Sequence, residues 1–371
     1  MRVTELSFEN YRNLKTGSFV PTDGVNVICG SNAQGKTNLL EGLWLFTGGH
    51  SFRGARDGDL VRMQAGEAAE AASLCMKFFG GGREQEAQLK IRNGRRSAVL
   101  NGVNRKTASS LVGAFCAVVF SPEHLSLVKD GPSERRAFLD GAICQIHPSY
   151  ATLLNQYTRT LQQRNTLLKD IPRHRELLDT LEIWDERLAG FGGAVMGERM
   201  RYTRRLRPAA EEIYHGISRA SEAIGMEYQM TGAAKDTSSS DYGAALLQAL
   251  SRCRRDDLAA GFTTVGPHRD DLLLTLNGTP ARIFGSQGQQ RSVVLALKLA
   301  EASVLEQVMG EAPVVLLDDV MSELDAGRQG YLLNHLEGRQ IFITCCDPES
   351  LRLLEKGRVF LVEDGVVCEG R

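Results

Sequence analysis

The sequence predicts an α/β fold in which a parallel sheet is interrupted by a mostly helical insertion. Three observations predict it. Residues 25–29 form an apolar run that enters a glycine-punctuated loop and then a helical segment, the strand–loop–helix of a parallel sheet. Residues 131–255 read as a mostly helical insertion, with helical periodicity and no strand signals in its first long stretches. Val314-Val315-Leu316-Leu317 is a second buried strand that runs into Asp318-Asp319. A chain of 371 residues also exceeds what one hydrophobic core usually spans. The expected division is therefore residues 1–130 with 256–371 as two halves of one head domain, and 131–255 as a helical arm.

Composition sets the class. Hydrophobic residues at 42% and charged residues at 24% describe an ordinary soluble globular protein. A net charge of −1 gives no whole-molecule field, so a nucleic-acid partner would need a local basic patch. No run reaches the length of a membrane span, and the first residues lack the apolar core of a signal peptide. Eight cysteines without a C-x-x-C pair argue for a reducing, cytoplasmic setting and against a zinc site.

In chain order, residues 3–8 alternate apolar and polar as a strand, and Asn10-Tyr11-Arg12-Asn13-Leu14 follows as a turn. Tyr11 or Arg12 reads either as an adenine contact or as part of a surface turn. Next comes Gly30-Ser31-Asn32-Ala33-Gln34-Gly35-Lys36-Thr37, which fits G-x-x-x-x-G-K-[S/T], the loop that wraps nucleotide phosphates. Gly30 and Gly35 permit a tight turn and keep Cβ atoms away from phosphate oxygens. The amides then open a helix over 36–46, whose dipole favours an anion. Lys36 should reach the β- and γ-phosphates, and Thr37 should offer its hydroxyl to Mg²⁺.

His50-Ser51-Phe52-Arg53-Gly54-Ala55-Arg56 reads either as a phosphate-contacting loop or as a solvated one. Residues 74–79, 85–92 and 97–100 form a small meander with glycine turns at 80–82, 93–94 and 101–102. Residues 117–120 are another buried strand, closed by Ser121-Pro122.

The arm opens at Gly131-Pro132 and continues as helical stretches at 153–168, 177–188 and 196–214, with a loop at 237–240. Arg201, Arg204 and Arg205 share a helix face. That stripe is either a solvated face paired with Glu198, Glu211 and Glu212 or a contact with the DNA backbone.

Strands resume at 271–276 with a hairpin turn at Asn277-Gly278. Ser286-Gln287-Gly288-Gln289 then precedes a long helix and makes a second anion site from free amides, a hydroxyl and the helix dipole. Since one loop already serves one nucleotide, this second site most simply meets the nucleotide of a partner subunit. At the acidic strand end, Asp318 would orient Mg²⁺ or its water, and Asp319 would take the proton of a water attacking the γ-phosphate. Ser322-Glu323-Leu324-Asp325 follows directly, and Thr344, Cys345 or Asp347 would close the next strand, 341–344.

These motifs in this order resemble the ABC-type ATPase heads of the SMC-like branch, and within it the chain is similar to the RecF family. The residues that carry the resemblance are Asn10 through Leu14, the phosphate loop, Ser51-Phe52-Arg53, and Phe120-Ser121-Pro122-Glu123. To these add Arg135-Arg136-Ala137-Phe138-Leu139-Asp140, residues 285–291 and residues 316–325.

The resemblance implies an ABC/SMC-like P-loop ATPase head with an inserted helical arm. It implies ATP-dependent homodimerisation on single-stranded, double-stranded or gapped DNA, with slow DNA-stimulated ATP hydrolysis. It further implies cooperation with RecO and RecR in loading RecA at gaps during repair, replication and the SOS response. Carried over, 30–37 bind ATP, Asp318 and Asp319 serve metal and water, and Ser286, Gln287, Gly288 and Gln289 form the trans signature.

Two departures stand out. Most ABC ATPases have Asp-Glu where this chain has Asp318-Asp319, so slow turnover is expected. The strand after Ile341 lacks the histidine of transporter ATPases, and no glutamine follows Phe120, which leaves the γ-phosphate sensor open. The alternatives are a nucleotide-binding subunit of a membrane transporter and a module that holds ATP and DNA without hydrolysis.

Overall fold

The computed structural model describes residues 1–64, 67–105, 107–231, 241–346 and 357–370. The expected loop at 237–240 and Asp347 lie outside the described residues. The chain forms two compact units, 1–125 with 295–371, and 126–294.

The first unit holds two six-stranded sheets. One is antiparallel throughout, in the order Leu14–Phe19, Arg2–Tyr11, Ala72–Gly80, Arg83–Arg92, Arg95–Leu100, Val103–Arg105. The expected meander is thus continuous with the first two strands. Its middle strands alternate buried and outward residues, as a sheet with one covered face requires.

The other sheet runs Ala117–Phe120, Val314–Leu317, Ile341–Cys345, Val25–Cys29, Arg358–Glu363, Val366–Glu369. Its first five strands are parallel and the last is antiparallel. Ala117–Phe120, Val314–Leu317 and Ile341–Cys345 are buried at every position, which is why their sequences read as unbroken apolar runs. A single hydrophobic cluster takes Leu6, Phe8 and Phe78 from one sheet, Ile28, Leu316 and Phe342 from the other, and Leu39, Leu40 and Leu43 from the helix Lys36–Leu45.

The second unit contains the helices Pro132–Ile146, Pro148–Asp170, Leu181–Ile217 and Tyr242–Ala260. The first two begin with proline at the position where a missing N–H costs nothing. The stretches read separately at 177–188 and 196–214 are joined in one 37-residue helix from Leu181. Its glycines mark a close approach: a Cβ at Gly193 would lie 2.4 Å from the Gly243 nitrogen.

This unit also reaches beyond the expected 131–255. Ile224–Gln229 pairs antiparallel with Asp271–Leu276, so the strand assigned by sequence to the head belongs to a small sheet of the second unit. The unit boundary falls inside the helix Gln287–Met309.

Buried charge pairs hold the second unit together. Arg164, fully buried, donates to Asp185 and Asp257, each over 2.7 Å. Arg199 binds Asp140 through two nitrogens at 2.8 Å, and Arg135 binds Asp271. Such pairs tolerate burial because both charges are matched and hydrogen-bonded.

Candidate nucleotide site

Parallel strands deliver their carboxyl ends to one edge of the sheet, where ligands bind in open α/β folds. Val25–Cys29 and Ile341–Cys345 run side by side in register, Cys29 opposite Cys345. Val314–Leu317 lies on the far side of Ile341–Cys345, with Leu317 opposite Ile343. The glycine loop, Asp318-Asp319 and Cys346 therefore emerge together.

The contact that joins them is short. Thr37 Oγ1, in the first turn of the helix Lys36–Leu45, donates to Asp318 Oδ1 over 2.8 Å. Beside it, Lys36 Nζ donates to the carbonyls of Gly30 at 2.7 Å and Ser31 at 3.1 Å and lies 3.5 Å from Cys346 Sγ. Lys36 is 5% exposed, so its ammonium is turned into the loop rather than out to water.

The loop is clamped from two sides. Asn13, in the turn after the first strand, donates to the Ala33 carbonyl over 2.9 Å, and the Asp364 N–H donates to Gln34 Oε1 over 2.6 Å. Gly35 sits at φ +116°, and a Cβ there would meet Asn13 Oδ1 at 2.6 Å; one at Gly30 would meet the Val362 carbonyl at 2.4 Å. The glycines are thus demanded by the protein walls, before any phosphate is considered. Ser31, Asn32 and Ala33 at the crown are exposed.

Burial pushes the Asp318 carboxyl up to about 6; the Thr37 and Thr344 hydroxyls pull it down, while Asp319 and Glu123 push it further up. Asp319 is held at φ +50°, uncommon for a residue with a side chain, and its N–H donates to Thr344 Oγ1 over 2.8 Å. The Thr37 hydroxyl and the Asp318 carboxylate in contact are oxygen donors of the kind a hard divalent cation takes beside phosphate, and the pair fits Mg²⁺.

The structure gives Tyr11 a place that neither reading offered, and ties Arg12 to the same partner. Tyr11 is fully buried and donates to Glu41 Oε2 over 3.1 Å. Arg12 binds the same carboxylate through two nitrogens at 2.8 Å, and Ser51 donates to it as well. These three residues serve a buried glutamate on the phosphate-loop helix, so Tyr11 has no ring face to offer an adenine. Glu41 escaped the sequence reading. The signal was a lone acid in Leu39-Leu40-Glu41-Gly42-Leu43, inside an otherwise apolar helix face. Arg53 and Arg56 are exposed, Arg53 donating to Asn38 Oδ1.

Ser286, Gln287, Gly288 and Gln289 belong to the second unit. Ser286 and Gln289 form a reciprocal cap, the Ser286 N–H donating to Gln289 Oε1 at 2.7 Å and the Gln289 N–H to Ser286 Oγ at 3.3 Å. Ser286 and Gln287 are exposed at the start of the helix. Of the arginine stripe, Arg201 pairs with Glu198, while Arg204 and Arg205 are exposed with no ion pair among the described residues.

Comparison with known proteins gives a consistent result. The family described as RecF/RecN/SMC N terminal domain matches residues 2–367. The chain is 43% identical over 361 residues to the DNA replication and repair protein RecF of Heliobacterium modesticaldum, covering 95% of this chain and 93% of that one. It is 38% identical over 351 residues to the RecF of Acetivibrio thermocellus, covering 94% of each. A solved structure described as "the recombination mediator protein RecF-ATPrS in RecFOR pathway" superposes with a TM-score of 0.92 at 36% identity, over 100% of this chain and 98% of that one. An Smc head domain from Pyrococcus furiosus, at TM-score 0.57 and 17% identity, shares the fold. A transporter subunit is not favoured by these matches, and among the described residues no helix is long and apolar enough to cross a membrane.

Proposed function

The chain belongs to the RecF/RecN/SMC family, and on that premise we propose that it is an ATP-switched DNA-binding protein of replication and recombinational repair. The observation that carries the reading is the 2.8 Å contact between Thr37 and Asp318, which unites two motifs 281 residues apart. ATP is the nucleotide, as the description of the RecF relative supports, and residues 30–37 hold its phosphates.

Lys36 exchanges its carbonyl partners for phosphate oxygens. Thr37 and Asp318 would hold Mg²⁺, which would supply charge neutralisation at the phosphates. Asp319 accepts the proton of the attacking water at its carboxylate. With a carboxylate one methylene shorter than the usual glutamate, hydrolysis is slow, and DNA stimulates it.

The exposed cap at Ser286–Gln289 of a second copy contacts the γ-phosphate, so two copies enclose two nucleotides with two-fold symmetry. Hydrogen bonds to charged groups contribute about 1.5–3 kcal/mol each, and a few per site suffice to drive association. Hydrolysis removes the bridging phosphate and the dimer opens. DNA lies against the dimer, and RecR with RecO are the expected protein partners.

Sedimentation with ATP tests the reading. Wild type should dimerise and Ser286→Arg should stay monomeric; equal dimerisation by the variant refutes the trans contact. Lys36→Arg should keep part of the nucleotide affinity and lose hydrolysis, and unchanged turnover would remove Lys36 from the mechanism.

A further inference from the structure

One hydroxyl engages both aspartates of the acidic strand end, one through its side chain and the other through its backbone. Thr344 is the fourth residue of Ile341–Cys345, neighbour to Val314–Leu317, and is 1% exposed. Its Oγ1 accepts the Asp319 N–H over 2.8 Å. The same oxygen lies 3.0 Å from Asp318 Oδ1 and 3.5 Å from Asp319 Oδ1. A hydroxyl has one proton to give, and the nearer acceptor is Asp318. Thr344 thus receives from the backbone of one aspartate while donating to the side chain of the other.

That double engagement bears on geometry. Asp319 occupies the left-handed region at φ +50°, a strained conformation for a residue with a side chain, which persists only where its surroundings hold it. Its N–H is fixed by Thr344, and its carbonyl accepts from Ser322 Oγ over 2.8 Å. Asp318 Oδ1 in turn receives two hydroxyls, Thr37 and Thr344. Rotation of the Asp318 side chain would break its bond to Thr344, and a turn of the Asp319 backbone would break the N–H bond to the same oxygen.

We propose that Thr344 is a positioning residue for hydrolysis: through one buried hydroxyl it fixes the Asp319 backbone, and so the point from which its side chain springs, relative to the Asp318 carboxylate. This rests on the nucleotide reading above and adds to it a role for a buried residue of the strand beside the acidic one. Thr344 touches no reacting atom; it acts through the two aspartates.

The test uses the full-length chain with Thr344→Val, which keeps the shape and loses the hydroxyl, and Thr344→Ser, which keeps the hydroxyl. Three quantities are measured: affinity for a fluorescent ATP analogue, the single-turnover hydrolysis rate, and hydrogen-exchange protection of the Asp319 amide without nucleotide. For Thr344→Val the expected result is an affinity within about twofold of wild type, hydrolysis at least tenfold slower, and loss of the amide's protection. Thr344→Ser should restore hydrolysis to within about threefold and protection to the wild-type level.

Hydrolysis by Thr344→Val at the wild-type rate would overturn the assignment, as would equal loss of nucleotide affinity in both variants. A wild-type chain that fails to bind the analogue at all would instead overturn the nucleotide reading, and the positioning role with it. The amide protection separates the two failures, because it reports the Thr344 bond whether or not nucleotide binds.

Discussion

The side-chain amide of Asn13 donates to the carbonyl of Ala33 over 2.9 Å, so the turn after the first strand grips the crown of the phosphate loop. Ala33 stands at φ +66°, a conformation that alanine adopts only when held. Asn13→Ala should therefore loosen the loop rather than unfold the protein. The expected outcome is a three- to tenfold rise in the nucleotide dissociation constant, from the loss of a bond contributing about 1 kcal/mol. Equilibrium titration with a fluorescent analogue measures it.

Asp318 makes stability depend on pH. Its carboxyl ionises near 3.8 when free and near 6 in the fold, chiefly because it is buried. The protonated form is favoured by folding, so this contribution is complete below pH 3.8 and is lost as pH rises through 6. Asp318→Asn, which mimics the neutral acid, should stabilise the nucleotide-free protein by on the order of 2 kcal/mol at pH 7.5. It should leave stability unchanged at pH 3.5. Thermal melts of both proteins at the two pH values decide the matter.

Arg164 anchors the second unit. Its removal in Arg164→Met leaves Asp257 buried with, among the described residues, only the N–H and hydroxyl of Thr264 as donors, while Asp185 keeps Arg254 at 3.1 Å. An orphaned buried charge costs about 3–5 kcal/mol. Urea denaturation should show that loss, and adding Asp257→Asn to the same chain should recover a large part of it.

The arginine stripe predicts a salt effect. Arg204 and Arg205 are exposed, and Arg201, itself exposed, pairs with Glu198 on the same helix, a partnership worth less than about 1 kcal/mol. If the stripe meets duplex phosphates, alanine at all three positions lowers the slope of log affinity against log salt by roughly 1–3. An unchanged slope moves the DNA contact off this helix.

The parts legible in the sequence were those whose residue types are dictated by local geometry. Gly30 through Thr37 announce themselves because glycine, lysine and threonine are each required at a fixed offset, and the apolar run ending at Asp318 does so because burial on both faces forbids alternation. What the sequence withheld were partnerships across distance. Nothing near Glu41 tells that Arg12, 29 residues earlier, neutralises it. Residues 271–276 read as a strand, but alternation does not say which neighbour they choose, and the choice of Ile224–Gln229 put them in the other unit. The break expected between 188 and 196 failed for a related reason: glycine lowers helix propensity locally, while the packing that overrides it comes from Tyr242–Ala260.

The sheet that carries the phosphate loop sets an order of assembly during synthesis. Its five parallel strands are drawn from residues 25–29, 117–120, 314–317, 341–345 and 358–363. The second unit, 126–294, is contiguous and can collapse as soon as the ribosome has released it. Thr37 must wait for Asp318 to emerge, so a nascent chain carries an unfinished sheet edge through most of its translation, and a ribosome stalled before residue 314 releases a product whose phosphate-loop strand lacks both sheet neighbours.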